Sequence, residues 1–256
     1  MPITIERVLI AGATGRTGRH VVAAATARGL TPVALARDEA RARQVLPGVE
    51  VVTGDLEDAG SLAGPVRDVD AIIFVHGSDA DSRQDAVQRI DYGGVVNTLK
   101  ALGGRRPRIV LQTTLFVTRR DHYLNGGAHA LDWKRRSERL VRLSGAPYTI
   151  VRPGWLDNGP AGRRVTIEQG DTGEGSISRA VLAAVHTEAL LRDSAIGKTF
   201  EVFSGPGETT SDWDSLFATA QPDAGGAPDA IKDAANMPLL TEPRAVQSDL
   251  AQLRAP

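Results

Sequence analysis

Residues 8–22 read VLIAGATGRTGRHVV, and this stretch decides the fold of the chain. A short β-branched run stops at Gly12, two more glycines follow at Gly15 and Gly18, and an alanine-rich helical pattern comes next. This order predicts a strand, a tight turn and a helix. Gly12 allows a sharp exit from the strand, Gly15 allows backbone to approach a pyrophosphate, and Gly18 allows close packing of helix on strand. The stretch therefore predicts a phosphate-binding turn at a helix N-terminus, with a merely tight turn as the alternative.

Strand and helix patterns alternate along the rest of the chain, which supports the phosphate-binding interpretation of the turn. The run AIIFV at 71–75 is apolar throughout, as is typical of a parallel strand that is buried on both faces. The alternation predicts an α/β, doubly wound fold with a mainly parallel sheet. The predicted strands lie at 8–11, 32–36, 49–53, 71–75, 108–114, 148–151, 165–167 and 200–203, and the predicted helices at 16–28, 39–46, 56–62, 83–102, 130–144 and 178–192.

The chain is predicted to form a single domain over residues 1–256, because this length suits one large α/β domain and no serine- or proline-rich linker divides it. Residues 205–256 are rich in Ala, Asp, Gly and Pro. We expect them to form loosely packed helices over the carboxyl edge of the sheet, as a small cover of the substrate. Trp213, Leu216 and Phe217 would anchor this region.

Composition argues against several classes of protein. The formal net charge of −1 argues against binding to nucleic acid or to an anionic membrane. The absence of cysteine excludes a disulfide framework and a thiol nucleophile. Met1–Arg7 lacks the layout of a signal peptide and the apolar runs are too short for a membrane span, so the prediction is a cytoplasmic protein. Paired arginines are predicted to lie on solvated faces: Arg105–Arg106, Arg119–Arg120, Arg135–Arg136 and Arg163–Arg164.

The second strand ends at Arg37, where a dinucleotide site places the adenosine ribose. An arginine at this point suits a 2′-phosphate, so Arg37 predicts NADP rather than NAD. Asp38 is the competing signal for NAD, but it also suits the N-cap of the helix at 39–46, and we favour the cap. Arg16, inside the glycine turn, is either a second contact to the phosphate or an exposed residue of the first helical turn.

Two further strand ends carry candidate ligands of the cofactor. Asp55 and Leu56 follow the third strand, where an adenine ring would lie. Asp55 either accepts a hydrogen bond from the adenine amino group or caps a helix at 56–62, and sequence does not separate the two. His76 and Gly77 follow the fourth strand at the carboxyl edge of the sheet, where ligands bind in such folds.

The segment after the fifth strand is predicted to form the reactive end of the site. The loop at 116–127 is rich in arginine and glycine and is typical of an active-site lid. Lys134 is predicted near the buried edge of the following helix, with a salt bridge to Glu138 one turn away as the structural alternative. His122 and His129 lie seven residues apart without carboxylates in a ligand pattern, so a metal site is not predicted.

Five fragments of the chain together resemble the atypical short-chain dehydrogenase/reductases, in particular their NmrA-like and flavin/biliverdin-reductase-like branch. The resemblance covers about residues 5–204 and implies a Rossmann fold that binds NADP(H) in an extended pose. The fragments are GATGRTG at 12–18, GDL at 54–56, the strand ending TT at 113–114, KRRSE at 134–138 and YTIVRPG at 148–154.

The resemblance also implies roles at the nicotinamide end. It places Lys134 on the nicotinamide ribose, Thr114 beside the nicotinamide, and the segment Pro153–Leu156 along it. Relatives with full dehydrogenase chemistry carry a tyrosine four residues before the lysine, as a proton donor. This chain has Ala130 at that position. Either Tyr123 or solvent would then supply the proton.

Three functions compete. The first is an NADPH-dependent reductase of a small carbonyl, quinone or other conjugated acceptor, the second is a catalytically silent NADP(H) sensor, and a metal hydrolase is a distant third. A small-molecule substrate is the predicted partner, and the oligomeric state is not predicted. The predicted catalytic residues are Thr114, Lys134 and Tyr123. The predicted cofactor-binding residues are Gly12, Thr14, Gly15, Arg16, Thr17, Gly18, Arg37, Asp55, Leu56, His76, Gly77, Thr113, Lys134, Pro153, Gly154, Trp155 and Leu156.

Overall fold

The computed structural model describes residues 5–78 and 83–254, so the first four residues of the segment Met1–Arg7 lie outside the described part. The described strands are β1 (Arg7–Ala11), β2 (Thr31–Ala36), β3 (Glu50–Thr53), β4 (Ala71–Phe74), β5 (Arg108–Gln112), β6 (Tyr148–Pro153), β7 (Trp155–Asp157), β8 (Arg164–Glu168), β9 (Ser176–Ser178) and β10 (Lys198–Gly205). The described α-helices are α1 (Arg16–Ala27), α2 (Glu39–Val45), α3 (Ala59–Leu62), α4 (Gly93–Ala101), α5 (Ala130–Leu143), α6 (Arg179–Leu191), α7 (Trp213–Ala218) and α8 (Arg244–Arg254).

The central sheet has the strand order β3-β2-β1-β4-β5-β6-β10-β8. Neighbouring strands are parallel except β8, which is antiparallel to β10. The chain leaves β1 toward β3 and then returns to place β4 on the other side of β1, so the connections reverse between β1 and β4. The α/β doubly wound prediction is confirmed. A reversal of this kind opens a crevice at the carboxyl ends of the strands, which is where the site was predicted.

Both faces of the sheet are covered by apolar packing, as the unbroken hydrophobic strands predicted. Along β1, Val8 and Ile10 belong to one core cluster while Leu9 belongs to the other, because successive side chains of a strand point to opposite faces. All three side chains are 0% exposed. Burial on both faces holds the strand ends at fixed positions, and the loops that follow those ends form the site.

Two helices begin later than predicted. The predicted helix at 83–102 is replaced by a π-helical turn, Val87–Tyr92, followed directly by α4. The helix predicted at 56–62 begins only at Ala59, because the Asp58 carboxylate accepts a hydrogen bond from Gly60 N at 2.9 Å and caps it there. Asp55 is therefore not an N-cap of this helix.

The predicted solvated arginine face is wrong for Arg135 and Arg136, which are 0% and 8% exposed. Carboxylates from the C-terminal segment lie over this face of α5. Asp229 Oδ1 accepts from Arg135 Nε at 3.1 Å, and Glu242 Oε2 accepts from Arg136 Nε at 2.7 Å. Buried charges persist only where they are paired, so sequence neighbours alone could not reveal this burial. Three further arginines are buried here: Arg139, Arg142 and Arg152.

The C-terminal segment is not loosely packed, because these ion pairs fasten it along α5. Its first part lies at the amino edge of the sheet, where Asp223 Oδ2 accepts from Tyr148 Oη at 3.0 Å. Phe217 packs there on Phe200, with ring centroids 5.8 Å apart. A later part reaches the carboxyl edge, where Asn236 Nδ2 donates to Thr118 O at 2.8 Å. Within the described ranges, every helix is too short or too polar to cross a membrane.

Candidate functional site

A cleft of about 540 Å³ lies at the carboxyl ends of β1, β2 and β4, at the reversal of the strand order. Its position agrees with the general rule for ligand sites in open α/β sheets. The residues that line it come from the glycine turn, the three following strand ends, α2 and the π-helical turn: Gly12, Thr14, Gly15, Leu35, Ala36, Arg37, Asp38, Arg41, Gly54, Asp55, Leu56, Glu57, Val75, His76, Gly77, Ser78 and Ile90.

The glycine turn has the geometry that a phosphate requires. Gly12 has φ +91°, and a Cβ on it would lie 2.7 Å from His76 Cα. A Cβ on Gly18 would lie 2.0 Å from Gly12 O, whereas one on Gly15 would lie 3.1 Å from the same oxygen. Gly15 is the N-cap of α1 and contributes no side-chain cap, so the first N–H groups of this 12-residue helix are left for a ligand. The residues present therefore fit a pyrophosphate.

The end of the cleft that is predicted to hold the adenosine ribose carries two arginines. Arg37 is exposed and lines the cleft directly after β2. Asp38 Oδ1 accepts from Arg41 N at 2.9 Å, which confirms that Asp38 is the N-cap of α2. The first turn of α2 places Arg41 at the cleft, four residues after Arg37. The sequence did not predict Arg41 as a site residue. Arg16 is exposed in the first turn of α1 and is not part of the cleft lining.

The edge of the cleft that is predicted to hold the adenine is built by the segment after β3. Asp55 Oδ1 accepts from Glu57 N at 3.0 Å and closes a tight turn, so this carboxylate lies at the cleft without capping a helix. Leu56 O accepts from Asn97 Nδ2 at 2.7 Å. A Cβ on Gly94 would lie 3.1 Å from Leu56 Cβ, so α4 packs closely beneath this edge.

His76 connects the cleft to the π-helical turn. Its Nε2 donates to Ile90 O at 3.1 Å, because a carbonyl oxygen can only accept. Burial lowers the pKa of His76, and the nearby Asp91 carboxylate offsets part of that effect. The imidazole is therefore neutral near pH 7. The π-helical turn thus presents a backbone oxygen to one site residue and, at Asp91, a carboxylate to another.

Lys134 is held by Asp91 rather than by Glu138. The Lys134 ammonium forms an ion pair with Asp91 Oδ1, while Asp91 Oδ2 accepts from Ser78 N at 3.0 Å. Burial raises the pKa of Asp91, but the Lys134 ammonium, His76 and the hydrogen bond from Ser78 together outweigh burial, so the net pKa lies below the ordinary value. The predicted alternative of a Lys134–Glu138 salt bridge is wrong, because Glu138 pairs with buried arginines such as Arg142.

The two threonines after β5 differ in surroundings. Thr113 is buried and its Oγ1 donates to Glu138 Oε1 at 2.7 Å, so this hydroxyl is used inside the protein. Thr114 is half-buried. Leu115 N donates to Pro153 O at 3.1 Å, which places Thr114 beside the segment that follows β6. A Cβ on Gly154 would lie 2.4 Å from Gly175 O, so that segment packs tightly on its other side.

The loop at 116–127 is not a free lid along its first residues. Phe116 and Thr118 are 2% and 5% exposed, and Asp171 Oδ2 accepts from Thr118 N at 2.8 Å. Tyr123, farther along the loop, is 73% exposed. Its ring lies against the His122 ring, with centroids 4.5 Å apart. Within residues 5–78 and 83–254, no three His, Cys, Asp or Glu side chains are grouped as metal ligands.

Comparison with known proteins identifies the family. Residues 12–193 match the profile of a family described as NAD(P)H-binding. Sanguinarine reductase of Eschscholzia californica is 29% identical over 260 residues, covering 82% of this chain and 94% of its own length. An anaerobillin reductase of Escherichia coli O157:H7 superposes with a TM-score of 0.63 at 25% identity, covering 80% of this chain and 100% of its own. A Bacillus halodurans protein described as an NAD-dependent epimerase/dehydratase superposes with a TM-score of 0.70 at 27% identity, covering 79% and 96%.

Proposed function

Since this chain belongs to the NAD(P)H-binding family and to the atypical short-chain dehydrogenase/reductases, we propose that it is an NADPH-dependent reductase of a small carbonyl, quinone or other conjugated acceptor. Reductases among its relatives support this proposal, since sanguinarine reductase and the anaerobillin reductase both carry that activity in their names. A reducing compartment suits a chain without cysteine, and we infer that the protein acts in the cytoplasm.

The single observation that carries the proposal is the cleft at the carboxyl edge. One of its ends has the uncapped N-terminus of α1 behind Gly12 and Gly15, and its other end has Arg37 and Arg41. A pyrophosphate and a 2′-phosphate are the anions that such a pair of sites would hold together. When bound, NADPH would supply a hydride to the acceptor.

The remaining chemistry belongs to the protein. We assign Lys134 to the nicotinamide ribose and Thr114 to a hydrogen bond with the acceptor oxygen. Hydride addition leaves a negative charge on that oxygen, which a donated hydrogen bond stabilises and a proton neutralises. Tyr123 is 73% exposed rather than enclosed in the site, and this favours water as the proton source.

A panel of quinones, flavins and ketones tests the proposal by NADPH oxidation. Thr114→Val keeps the shape of the side chain and removes its hydroxyl, so we expect turnover to fall about tenfold or more while the Kd of NADPH stays unchanged. Tyr123→Phe separates the two proton sources, since an unchanged rate assigns the proton to water. If no acceptor oxidises NADPH and Thr114→Val has no effect, the reductase proposal fails.

A second candidate is a silent NADP(H) sensor. Two observations favour it: Ala130 stands where dehydrogenases of this type carry a tyrosine, and the Lys134 ammonium is paired with Asp91. A sensor would bind NADPH in the same cleft without consuming it. The same panel distinguishes the candidates, because a sensor gives tight NADPH binding and no oxidation with any acceptor.

A further inference from the structure

Four aromatic rings lie in series beside the hydride end of the proposed site. The Trp155 ring meets Phe116 edge to face, with centroids 6.1 Å apart and planes at 65°. The Phe116 and His122 centroids are 4.4 Å apart, and those of His122 and Tyr123 are 4.5 Å apart. We call Trp155, Phe116, His122 and Tyr123 the aromatic wall. Trp155 is 42% exposed and Tyr123 73%, so the wall offers open ring surface to a ligand.

Contacts to Phe116 fix the position of the aromatic wall. Phe116 has φ +71°, a left-handed conformation that a bulky side chain rarely adopts, and yet it is only 2% exposed. Its N–H donates to the buried Asp171 carboxylate, which also accepts from Thr118 N and Oγ1. The Arg119 guanidinium lies 4.4 Å from the Phe116 ring centroid. Strain of this kind persists only where the surroundings impose it, and it is typical of ligand sites.

The aromatic wall starts next to the residues assigned to hydride transfer. Leu115 N donates to Pro153 O, so the ends of β5 and β6 are adjacent at this point. Thr114 immediately precedes Leu115, and Trp155 follows Pro153 by two residues. An acceptor that contacts the Thr114 hydroxyl can therefore lay a second ring against Trp155.

Charge along the aromatic wall disfavours an anionic ligand. The Arg and Lys residues between 116 and 134 are Arg119, Arg120 and Lys134, and each is already engaged. Arg119 Nε donates to Asp171 O at 3.0 Å, Arg120 pairs with Asp132 at 3.0 Å, and Lys134 pairs with Asp91. Asp121 on the same segment is exposed. A carboxylate or sulfonate on the acceptor would find no uncommitted Arg or Lys on this segment.

We propose that the aromatic wall selects the acceptor of the reductase: a planar, multi-ring compound that is uncharged or cationic where it stacks. Stacking on the exposed rings of Trp155 and Tyr123 requires planarity, and the segment 116–134 offers no uncommitted Arg or Lys to an acidic substituent. This inference rests on the proposed function for the position of the hydride. It limits the acceptor to planar multi-ring compounds, which excludes small carbonyl compounds and acidic chromophores.

The test measures binding without turnover. The protein is saturated with NADP⁺, and the Kd is measured by calorimetry for 2-(hydroxymethyl)anthraquinone and for anthraquinone-2-sulfonate, which share their rings and differ in charge. We expect the uncharged compound to bind at least about tenfold more tightly. Trp155→Ala is expected to weaken it about tenfold, in line with the loss of one stacking ring, and Trp155→Phe to restore most of the binding.

Two further variants make the result decisive. His122→Ala removes a ring that is assigned no contact with the cofactor, and it is expected to weaken the anthraquinone alcohol about fivefold. Trp213→Ala, on α7, is the matched control and should leave this Kd unchanged. Equal or tighter binding of the sulfonate, or Kd values within twofold of wild type in both Trp155→Ala and His122→Ala, overturns the proposal. If binding depends on Trp155 but NADPH is never oxidised, the aromatic wall stands and the reductase proposal falls.

Discussion

Arg37 and Asp38, which follow β2 directly, have different surroundings at the end of the cleft that is predicted to hold the adenosine ribose. The Asp38 carboxylate is used by the backbone of α2, where it accepts from Arg41 N. One of its two oxygens, Oδ1, is therefore committed to the helix. Arg37 is left exposed at the cleft, and Arg41 joins it from the first turn of α2. This arrangement supports the proposal that Arg37 and Arg41 bind a 2′-phosphate.

We expect Arg37→Ala to weaken NADPH ten- to a hundredfold, because a charge-assisted hydrogen bond is worth about 1.5–3 kcal/mol. NADH, which lacks the 2′-phosphate, should bind with nearly unchanged Kd. Fluorescence titration with both cofactors measures the difference. Arg43→Ala is the control, since Arg43 lies nearby on α2 but pairs with Glu39 at 2.7 Å. Equal losses for both cofactors would show that Arg37 does not contact the phosphate.

A second residue-scale feature is the Asp91 carboxylate, which joins Lys134 to Ser78 N. Asp91→Asn keeps the shape and one acceptor oxygen but removes the charge that holds the ammonium. We expect the Kd of NADPH to rise about tenfold, equivalent to about 1.4 kcal/mol, with faster acylation of Lys134 by a lysine reagent. Asp85→Asn removes an exposed carboxylate near the same π-helical turn and should change neither value. An unchanged Kd in Asp91→Asn would contradict the positioning role of this residue.

At the scale of elements, the three glycines of the β1–α1 junction differ in whether the packing of the fold requires them. Gly12 and Gly18 are required because strand, helix and the end of β4 meet there with no room for a Cβ. Gly15 is different, since a Cβ there needs a shift of only a few tenths of an ångström. The same motif therefore contains two glycines that packing requires and one, Gly15, that packing does not require.

Gly15→Val and Gly18→Val should separate these roles. The first is expected to lower NADPH affinity by more than about tenfold with little change in Tm, because the side chain fills the space of the phosphate. The second is expected to destabilise the protein by about 3 kcal/mol or more, because overpacking at 2.0 Å forces the backbone to move. Thermal unfolding without cofactor, together with cofactor titration, gives both quantities. Normal NADPH binding by folded Gly15→Val would place the phosphate elsewhere.

At the scale of the whole molecule, a buried layer of charge joins the sheet, α5 and the C-terminal segment. Arg152 on β6 pairs with Glu138 on α5, with Asp233 and with Glu201 on β10. Glu201 Oε2 also accepts from Asp171 N at 3.1 Å. Burial raises the pKa of Glu201 to about 7, although Arg152 opposes the rise. Burial also raises the pKa of Asp233, but Arg152, together with Arg142 and Arg135, outweighs burial and brings the pKa to about 2.

These shifts predict opposite effects of pH. Between about pH 4.5 and 7 the folded protein keeps a proton on Glu201 that the unfolded chain has lost, so rising pH lowers the free energy of unfolding. The full effect is on the order of 3 kcal/mol. Asp233 stabilises the fold above its ordinary pKa of 3.8, and that contribution is lost as pH falls toward 2. A single pH profile of the free energy of unfolding would combine both effects. The effect of Glu201 is therefore isolated by comparing variants with wild type.

We expect Glu201→Gln to gain stability relative to wild type as pH rises from 5 to 8, because the amide cannot ionise in the unfolded chain. Urea unfolding at several pH values measures the difference between the two proteins. Glu208→Gln, at an exposed position, should show a difference that does not depend on pH. A constant difference between Glu201→Gln and wild type across this range would rule out the raised pKa.

The sequence by itself determined the eight strands of the central sheet, the order of these strands along the chain and the glycine turn, because these depend on local signals. The short strands β7 and β9 were not predicted. Apolar runs such as 71–75 can only be buried, and the spacing of Gly12, Gly15 and Gly18 states the geometry of the turn directly. The prediction that Arg37 contacts a 2′-phosphate followed from its position after a strand. The prediction that Asp38 caps a helix followed from its position before one.

Only the tertiary structure decided which charges are buried and which partners they have. The sequence indicates that Arg135 and Arg136 are solvated, because the carboxylates that pair with them, Asp229 and Glu242, lie about a hundred residues away along the chain. Lys134 has its partner 43 residues upstream rather than one turn along its own helix. Charged groups take their environment from whatever packs against them, and the aromatic wall likewise joins β7 to the loop after β5. Such pairings depend on long-range packing, which no local pattern encodes.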